Sequence, residues 1–239
     1  MPGAGCPMLA EMNITKTEHG LRMSQHGVVI TELRTSPGPT HSVADVLAAL
    51  IKVLKPEGRI GVLGFAGGGM QAPLCALGVE TKVEAVDLDR TGWDLFRWHC
   101  PKWVRRVNWK KADAVKWLRV QPADFDLLVE DLSVPEGGDV FKPPITWDVL
   151  PPLMRDRLAR GGIAVFNLMP PAGGVWLSEV RQIARIFGKA RIVSFDDFTN
   201  RILVAGKSLP PVRELGAVLR AALRMIGSCQ AERIHLRTV

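Results

Sequence analysis

The 239-residue sequence predicts one α/β domain with a doubly wound, mostly parallel sheet of seven strands. Three observations favour this fold class. Short apolar runs alternate with segments of helical periodicity, a glycine-rich turn follows one of these runs directly, and the last two runs lie only five residues apart. Strands that alternate with helices are typical of a parallel sheet, because each parallel connection needs a crossover that a helix usually supplies.

The N-terminal segment, residues 1–40, is polar and rich in turn-forming residues. Its one alternating run, residues 27–33, has the period of two that is typical of a strand, so we expect a small N-terminal β-hairpin. The pattern changes after Thr40. Ser42 can cap a helix whose apolar residues recur at helical spacing over residues 43–54, and a Pro-Glu-Gly tripeptide then ends it.

Six short apolar runs predict the central strands. They are residues 59–64, 83–86, 125–129, 163–166, 191–195 and 201–205. Helix-like segments lie around residues 70–77, 91–99, 113–119, 146–159 and 176–187. The last two runs leave no room for a helical crossover, so we expect them to pair antiparallel at the end of the sheet.

The C-terminal part of the chain predicts one more helix. Apolar residues recur on one face of residues 212–228, with arginines between them, and this spacing is typical of a helix docked on a core rather than on a membrane. The sequence therefore divides into an N-terminal extension over residues 1–40, a ligand-binding domain over residues 41–207, and a C-terminal helix with its tail over residues 208–239.

Composition excludes several classes of protein. Hydrophobic residues make up 47% of the chain and charged residues 23%, which excludes a disordered or fibrous protein. No stretch of about 18 apolar residues occurs and the first residues lack the pattern of a secretory signal, so we expect a cytoplasmic protein without a membrane span. The four cysteines fit no C-x-x-C spacing and the five histidines no H-x-x-x-H spacing, so we expect free thiols and no metal site.

The sharpest motif is the glycine-rich turn Gly64-Phe65-Ala66-Gly67-Gly68-Gly69, between a predicted strand and a predicted helix. Asp87 follows 23 positions after the first of these glycines, at the end of the next strand. Glycines let the backbone approach a ligand closely, and an acid about 20 residues further on can accept hydrogen bonds from ribose hydroxyls. Together the turn and the acid predict a nucleoside-containing ligand. A strand-to-helix turn can also use glycine for steric reasons alone.

Three motifs, in their order and spacing, resemble the spermidine-synthase-like branch of the class I S-adenosylmethionine-dependent transferases. They are residues 59–89, the Ala112-Asp113-Ala114 step, and the sequence FDLLVED at residues 125–131. The similarity covers about residues 40–206. The resemblance implies a Rossmann-like sheet of the class I methyltransferase type. It also implies a small-molecule acceptor such as an amine, and a homodimer.

The resemblance further implies a cofactor, either S-adenosylmethionine or its decarboxylated form, and residues that bind it. These are Gly64, Gly67, Gly69, Asp87, Asp113 and Ala114. The turn would hold the amino-acid side of the ligand and Asp87 its ribose. Asp113 would reach the adenine amino group, with the backbone of Ala114 beside the ring. Asp131 would be the catalytic residue that accepts a proton from the acceptor.

The sequence also departs from the resembled family at two positions. Spermidine synthases carry an Asp inside the turn, where this chain has Gly67, and a second acid three residues after the catalytic Asp, where it has Val134. The chain contains no tyrosine. A dicationic amine needs several acids or aromatic faces to replace its hydration. We therefore expect methyl transfer, for which Asp131 or Glu130 could serve as base, with aminopropyl transfer and a non-catalytic binding protein as alternatives.

A basic, tryptophan-rich stretch carries the excess positive charge of the chain. Between residues 90 and 119, nine basic residues stand against two acidic ones, and the formal net charge of the whole chain is +7. Five tryptophans are interleaved with these cations. Aromatic faces beside cations suit stacked bases and phosphates, yet the same stretch spans predicted helices and a strand whose tryptophans should face the core. We favour the core interpretation over a nucleic-acid partner.

Overall fold

The computed structural model describes residues 13–55, 57–136, 138–170 and 176–239. The chain begins there with three antiparallel strands, β1 (Asn13–Lys16), β2 (Gly20–Gln25) and β3 (Val28–Arg34), which form a separate small sheet. The predicted hairpin corresponds to β2 and β3, and β1 adds a third strand. The part of the prediction that falls on residues 1–12 lies outside the described residues.

Ten further strands follow among the residues that the structure describes. They are β4 (Ile60–Leu63), β5 (Val83–Asp87), β6 (Val107–Lys111), β7 (Phe125–Glu130), β8 (Val134–Glu136), β9 (Asp139–Phe141), β10 (Leu158–Leu168), β11 (Ala190–Phe195), β12 (Arg201–Ala205) and β13 (Ile234–Thr238). Strands β8 and β9 form a two-stranded hairpin, and the other eight form one sheet in the order β13-β11-β12-β10-β7-β4-β5-β6. The five strands from β10 to β6 are parallel. The predicted fold class is therefore confirmed.

The antiparallel end of the sheet differs in one respect from the prediction. Strands β11 and β12 pair antiparallel as expected, but β13 pairs with β11 and forms the edge, so the described sheet has eight strands rather than seven. The sequence of β13 gives little sign of a strand, because three of its five side chains are exposed and polar. Its place is decided by the pairing partner rather than by its own hydrophobicity.

In the described residues, eight α-helices connect and cover the strands. They are α1 (Val43–Leu54), α2 (Gln71–Ala76), α3 (Thr91–His99), α4 (Ala114–Arg119), α5 (Leu150–Arg157), α6 (Trp176–Phe187), α7 (Val212–Met225) and α8 (Gln230–Arg233). Ser42 caps α1 as predicted, its hydroxyl oxygen accepting a hydrogen bond of 3.2 Å from the N–H of Ala44. The helix-like segment predicted around residues 146–159 is too long. Helix α5 begins only at Leu150, because Pro151 and Pro152 lack N–H groups and fit only the first turn.

Hydrophobic clusters lie on both faces of the large sheet. Helices α1, α2, α3 and α7 cover one face, and α4, α5 and α6 cover the other. Within β4, Val62 and Leu63 point to opposite clusters, as the alternation of a strand requires. Helix α7 packs against α1 through buried leucines, so the predicted docking of the C-terminal helix is confirmed. None of the described helices is long and apolar enough to cross a membrane.

Candidate functional site

The glycine turn after β4 sits between the ends of two neighbouring strands. Gly64 has a φ of +90° and its N–H donates a hydrogen bond of 2.9 Å to the carbonyl of Val86 in β5. A β-carbon on Gly64 would lie 2.5 Å from the carbonyl oxygen of Asp131, directly after β7. Glycine is therefore required here both for its positive φ and for the close approach of the chain after β7. The turn lies at the carboxyl end of the parallel strands, where open α/β sheets bind ligands.

Asp87, at the end of β5, holds this turn in place. Its Oδ2 accepts hydrogen bonds of 2.9 Å from the N–H of Phe65 and 2.8 Å from the N–H of Ala66. Its Oδ1 accepts one of 3.1 Å from the N–H of Asp89. Ala66 adopts a left-handed φ of 46°, a conformation that non-glycine residues rarely hold without such support. A carboxylate offers about four acceptor positions, so Asp87 retains capacity for a ligand hydroxyl.

A cavity of about 260 Å³ opens beside this carboxylate, and we call it the Asp87 cavity. Four of the predicted cofactor-binding residues line it, namely Gly64, Asp87, Asp113 and Ala114. Asp113 is the N-cap of α4, and its Oδ1 accepts a hydrogen bond of 2.9 Å from the N–H of Lys116. Its other carboxylate oxygen has no hydrogen-bond partner among the described residues. The fold therefore brings together residues from three successive strand ends at one concave surface.

Gly67 and Gly69 lie differently from the other predicted cofactor residues, because both face the N-terminal sheet. A β-carbon on Gly67 would lie 2.5 Å from Met23 Sδ and 2.8 Å from Thr31 Cγ2, and one on Gly69 would lie 2.5 Å from Thr31 Oγ1. Gly67 does not line the Asp87 cavity or the second, larger cavity described in the next paragraph, and Gly69 lines only that larger cavity. Their lack of side chains is explained by the packing of β2 and β3 over the turn.

A second cavity, of about 500 Å³, lies between the N-terminal sheet, the start of α1 and the loop that connects β11 to β12. We call it the Asn200 cavity. Five residues line both cavities: Ile30, Ala66, Asp131, Leu132 and Ser133. A group bound in one cavity can therefore meet a group bound in the other at this shared wall.

Asp131 is the ionisable residue of that shared wall. Its Oδ1 accepts a hydrogen bond of 2.7 Å from Asn167 Nδ2, and its Oδ2 has no partner among the described residues. Burial raises the pKa of Asp131 to about 6, against the opposing effects of the Asn167 hydrogen bond and the Lys142 charge. The carboxylate is thus mostly ionised at neutral pH and more basic than an ordinary Asp. That combination suits a residue that must accept a proton.

Glu130, the other acid considered as a base, points away from both cavities. Its side chain is fully buried, and its Oε1 lies 2.9 Å from Lys142 Nζ and accepts a hydrogen bond of 2.9 Å from Thr146 Oγ1. Lys142 Nζ also donates to the carbonyl of Leu132. Burial raises the pKa of Glu130, and the ammonium of Lys142 opposes that effect. This ion pair joins the end of β7 to the segment that follows β9, and leaves Asp131 as the acid available to a ligand.

The hairpin of β8 and β9 lies between Glu130 and Lys142, the two residues that the buried ion pair joins. Val134 and Pro135 line the Asp87 cavity, and Val140 lines the Asn200 cavity. The sequence leaves two interpretations of residues 134–144 equally open, a loop that closes over the ligand and a plain surface connection, and the position of these lining residues is compatible with both.

Two residues of the site escape sequence analysis, namely Asn167 at the end of β10 and Asn200 before β12. Asn200 Nδ2 donates a hydrogen bond of 2.9 Å to Asn167 Oδ1, which continues the chain of contacts from Asp131. Asparagines are common at strand ends and in turns, so neither residue stands out in a single sequence. Asn167 lies at the carboxyl end of a central strand of the sheet, and this position is the feature by which the sequence could have identified it.

Most tryptophans of the basic stretch over residues 90–119 belong to the core. Trp93, Trp103 and Trp117 are buried, and Trp93 stacks on Trp109 at a centroid distance of 5.3 Å. Trp98, by contrast, is 80% exposed. Most of the tryptophans therefore have a packing role. Lys110 and Lys111 are exposed residues of β6, the edge strand, where charge also discourages pairing with another chain.

Cysteines and metal-ligating side chains are dispersed over the described part of the chain. Cys75, Cys100 and Cys229 are free, and Cys6 lies outside the described residues. Burial raises the pKa of Cys100 to about 11, so its thiol is unreactive at neutral pH. Among the described residues, no group of three or more His, Cys, Asp or Glu side chains could hold a metal ion.

Comparison with known proteins identifies the fold. A scan of protein-family models found no match, and a search of curated proteins found none either. Among solved structures, the chain is similar to a probable spermidine synthase from Corynebacterium glutamicum ATCC 13032, with a TM-score of 0.75 and 16% identity over 100% of this chain and 91% of that one. It is also similar to spermidine synthase from Thermotoga maritima, with a TM-score of 0.65 and 15% identity over 88% and 74% of the two chains.

A third similar structure is human methyltransferase-like protein 13 in complex with SAH, with a TM-score of 0.58 and 18% identity over 76% of this chain and 89% of that one. The three similarities show that the chain has the class I methyltransferase fold. Within that fold it is structurally similar to the spermidine synthases, which confirms the resemblance seen in the sequence.

Proposed function

We propose that this protein binds S-adenosylmethionine in the Asp87 cavity and transfers its methyl group to a small-molecule acceptor in the Asn200 cavity. The observation that carries the proposal is the convergence of Gly64, Asp87, Asp113 and Ala114 on one cavity that shares a wall with a second, larger one. Asp131 stands in that wall. A donor site and an acceptor site that meet at a potential base are what a group transfer needs.

The residues present fit an S-adenosyl ligand. Asp87 retains acceptor capacity for ribose hydroxyls, and one oxygen of the Asp113 carboxylate is available to an amino group. Val86, Leu88 and Ile145 supply apolar walls to the same cavity, suitable for the faces of a purine ring. When bound, S-adenosylmethionine supplies a methyl group on a positively charged sulfur, which keeps the C–S bonding pair when the lone pair of the acceptor takes the methyl group.

Asp131 then has one clear task. The acceptor nitrogen or oxygen sheds a proton as its bond to carbon forms, and the free Oδ2 of Asp131 is placed to take that proton. Asn167 holds Oδ1, which fixes the orientation of the carboxylate. The proton passes to solvent once the product leaves. This role needs only positioning and one base of raised pKa, without the further acids that aminopropyltransferases carry.

Aminopropyl transfer from decarboxylated S-adenosylmethionine is the second candidate, supported by the likeness to structures of spermidine synthases. The contacts of Gly67 weigh against it. The position at which spermidine synthases carry an Asp is covered here by Met23 and Thr31, and Val134 occupies the position of the second acid. The site therefore lacks two of the carboxylates that this reaction uses in the resembled family.

Calorimetric titration tests the proposal. The purified protein is titrated in parallel with S-adenosylmethionine, its decarboxylated analogue and methylthioadenosine. We expect the tightest binding with S-adenosylmethionine and a loss of affinity of about 10- to 100-fold in Asp87→Ala. Binding should be unchanged in Asp156→Asn, an exposed carboxylate that pairs with the neighbouring Arg155. A preference for the decarboxylated form would favour aminopropyl transfer. Binding of none of the three would contradict the proposal.

Binding without turnover is the outcome expected of a non-catalytic protein with this fold. Incubation with S-adenosylmethionine and a panel of amines, phenols and carboxylates, followed by detection of S-adenosylhomocysteine, separates a binding protein from an enzyme. Asp131→Asn serves as the matched control, because it should keep donor binding and lose product formation.

A further inference from the structure

A directional chain of hydrogen bonds runs from Asp131 into the Asn200 cavity. A carboxylate can only accept, so Asn167 must present its Nδ2 to Asp131, at 2.7 Å, and turn its Oδ1 away. That oxygen accepts from Asn200 Nδ2 at 2.9 Å. The Oδ1 of Asn200 accepts no hydrogen bond from the described residues. The Asn200 cavity thus presents two hydrogen-bond acceptor atoms, Asp131 Oδ2 and Asn200 Oδ1. The ionised Asp131 fixes this arrangement, because it determines which way the amide groups of Asn167 and Asn200 point.

Arg22 and Glu32, two of the other ionisable residues of this cavity, compensate one another. Glu32 Oε1 accepts hydrogen bonds from Arg22 Nε at 2.9 Å and from Arg22 Nη2 at 2.5 Å. His41 Nδ1 accepts a hydrogen bond of 3.3 Å from the N–H of Cys229. Apart from His41, Asp131 is the one ionisable side chain without an oppositely charged partner among the described residues that line the cavity.

The remaining wall of the cavity is mostly apolar. Val43, Leu47, Leu74, Met169 and Phe198 line it together with a few hydroxyl groups and amides. A cation far from Asp131 would lose its hydration against these side chains. It would also find Glu32 already paired with the guanidinium of Arg22. Desolvating a charge without a partner costs several kcal/mol, so the cavity disfavours a second ammonium group.

We propose that the acceptor held by the Asn200 cavity is a small amine with a single positive charge on an otherwise uncharged, largely apolar body. Its ammonium nitrogen lies at Asp131, whose Oδ2 takes one N–H proton so that the nitrogen gains the lone pair that accepts the methyl group. Another N–H or O–H group on the same molecule is bound by Asn200 Oδ1. The inference rests on the proposed function, because the acceptor site is assigned by its shared wall with the donor site. It excludes a diamine as the preferred acceptor.

Three ligands with the same six-carbon chain test the inference on the whole protein in the presence of saturating S-adenosylhomocysteine. They are hexylamine, 1,6-diaminohexane and 1-hexanol, each titrated by calorimetry. We expect hexylamine to bind at least about tenfold more tightly than either of the others, a difference in binding free energy of about 1.4 kcal/mol. The alcohol lacks the charge that pairs with Asp131, and the second charge of the diamine has no partner in the cavity. Equal or tighter binding of the diamine would overturn the inference. Equal binding of the alcohol would overturn the role of charge.

A pair of variants on the exposed side of the cavity sharpens the test. Arg22→Met removes the partner of Glu32 and should tighten the binding of 1,6-diaminohexane about tenfold while the affinity for hexylamine stays within twofold. Arg22→Met/Glu32→Gln should remove the gain. Arg22 is exposed, so neither variant should impair folding. An equal gain for both amines in Arg22→Met would contradict the proposed charge balance.

The outcome also separates this inference from the proposed function. If S-adenosylhomocysteine binds and none of the amines does, the inference is wrong and the donor site stands. If S-adenosylhomocysteine does not bind, the proposed function is wrong, and the same amine titrations on the free protein still decide whether the cavity prefers a single charge.

Discussion

The Cα atom of Gly67 faces Met23 so closely that a β-carbon on it would lie 2.5 Å from the Met23 sulfur. Met23 is fully buried in β2. The N-terminal sheet therefore fills the space that a side chain in the glycine turn would need. This contact links the missing acid of the turn to the packing of a separate sheet.

Gly67→Asp should therefore destabilise the protein. Overpacking at a buried contact typically costs about 1–3 kcal/mol, and a buried carboxylate adds a desolvation cost. We expect a loss of about 2 kcal/mol or more in the free energy of unfolding, measured by urea denaturation. The double variant Gly67→Asp/Met23→Ala should be less destabilised than the sum of its two single variants, because the shorter side chain removes the overlap. Additive effects would show that the two residues are not coupled.

Asp87 combines two tasks, and a modified ligand can separate them. Asp87→Ala removes the acceptor of two turn N–H groups, so it should weaken S-adenosylhomocysteine binding about 10- to 100-fold and also lower stability. A ribose contact predicts in addition that the wild type binds the 2′-deoxy analogue more weakly than S-adenosylhomocysteine. In Asp87→Ala this difference should vanish. If the wild type binds both ligands equally, the ribose assignment is wrong and Asp87 only holds the turn.

Asp131→Asn should stabilise the protein at pH 7.5. The pKa of Asp131 is raised to about 6 in the folded state from an ordinary value of 3.8, so the folded protein binds this proton more tightly than the unfolded chain. The contribution of Asp131 to the free energy of unfolding is therefore fully present below the ordinary pKa of 3.8 and is lost as the pH rises through about 6. We expect the variant to exceed the wild type by at most about 3 kcal/mol at pH 7.5, since a shift of one pKa unit is worth about 1.4 kcal/mol.

The two proteins should be nearly equally stable at pH 3, below the ordinary pKa of 3.8, where the carboxyl group is mostly neutral in both the folded and the unfolded state. Urea unfolding at the two pH values measures the difference. A constant difference across this range would mean that burial does not perturb Asp131.

The buried pair of Glu130 and Lys142 should respond strongly to the loss of one partner. Lys142→Met leaves an uncompensated carboxylate at a fully buried position, which typically costs about 3–5 kcal/mol. The loss should be smaller at pH 5 than at pH 8, because Glu130 without its partner takes up a proton more readily. Glu130→Gln/Lys142→Met should recover most of the stability. Failure of the double variant to recover would show that packing of the lysine stem, rather than charge, carries the effect.

Much of the fold can be predicted from local patterns in the sequence. The run at residues 125–129, the cap at Ser42 and the boundaries of α6 each follow from periodicity or turn chemistry, and each is present in the structure. Strand β13 could not be predicted, because its side chains are mostly exposed and its place depends on β11. The roles assigned to the cofactor residues follow from a resemblance, and they stay predictions until ligand binding is measured.

The sequence by itself determined the alternation of strands and helices, the glycine turn and the acids at residues 87, 113 and 131. These features depend on neighbours within one strand, helix or turn. Only the tertiary structure decided that Asn167 and Asn200 join Asp131, across separations of 36 and 33 residues, and that Met23 covers Gly67. Such contacts depend on the order of strands in the sheet and on how a second sheet packs against it, and no local pattern encodes either.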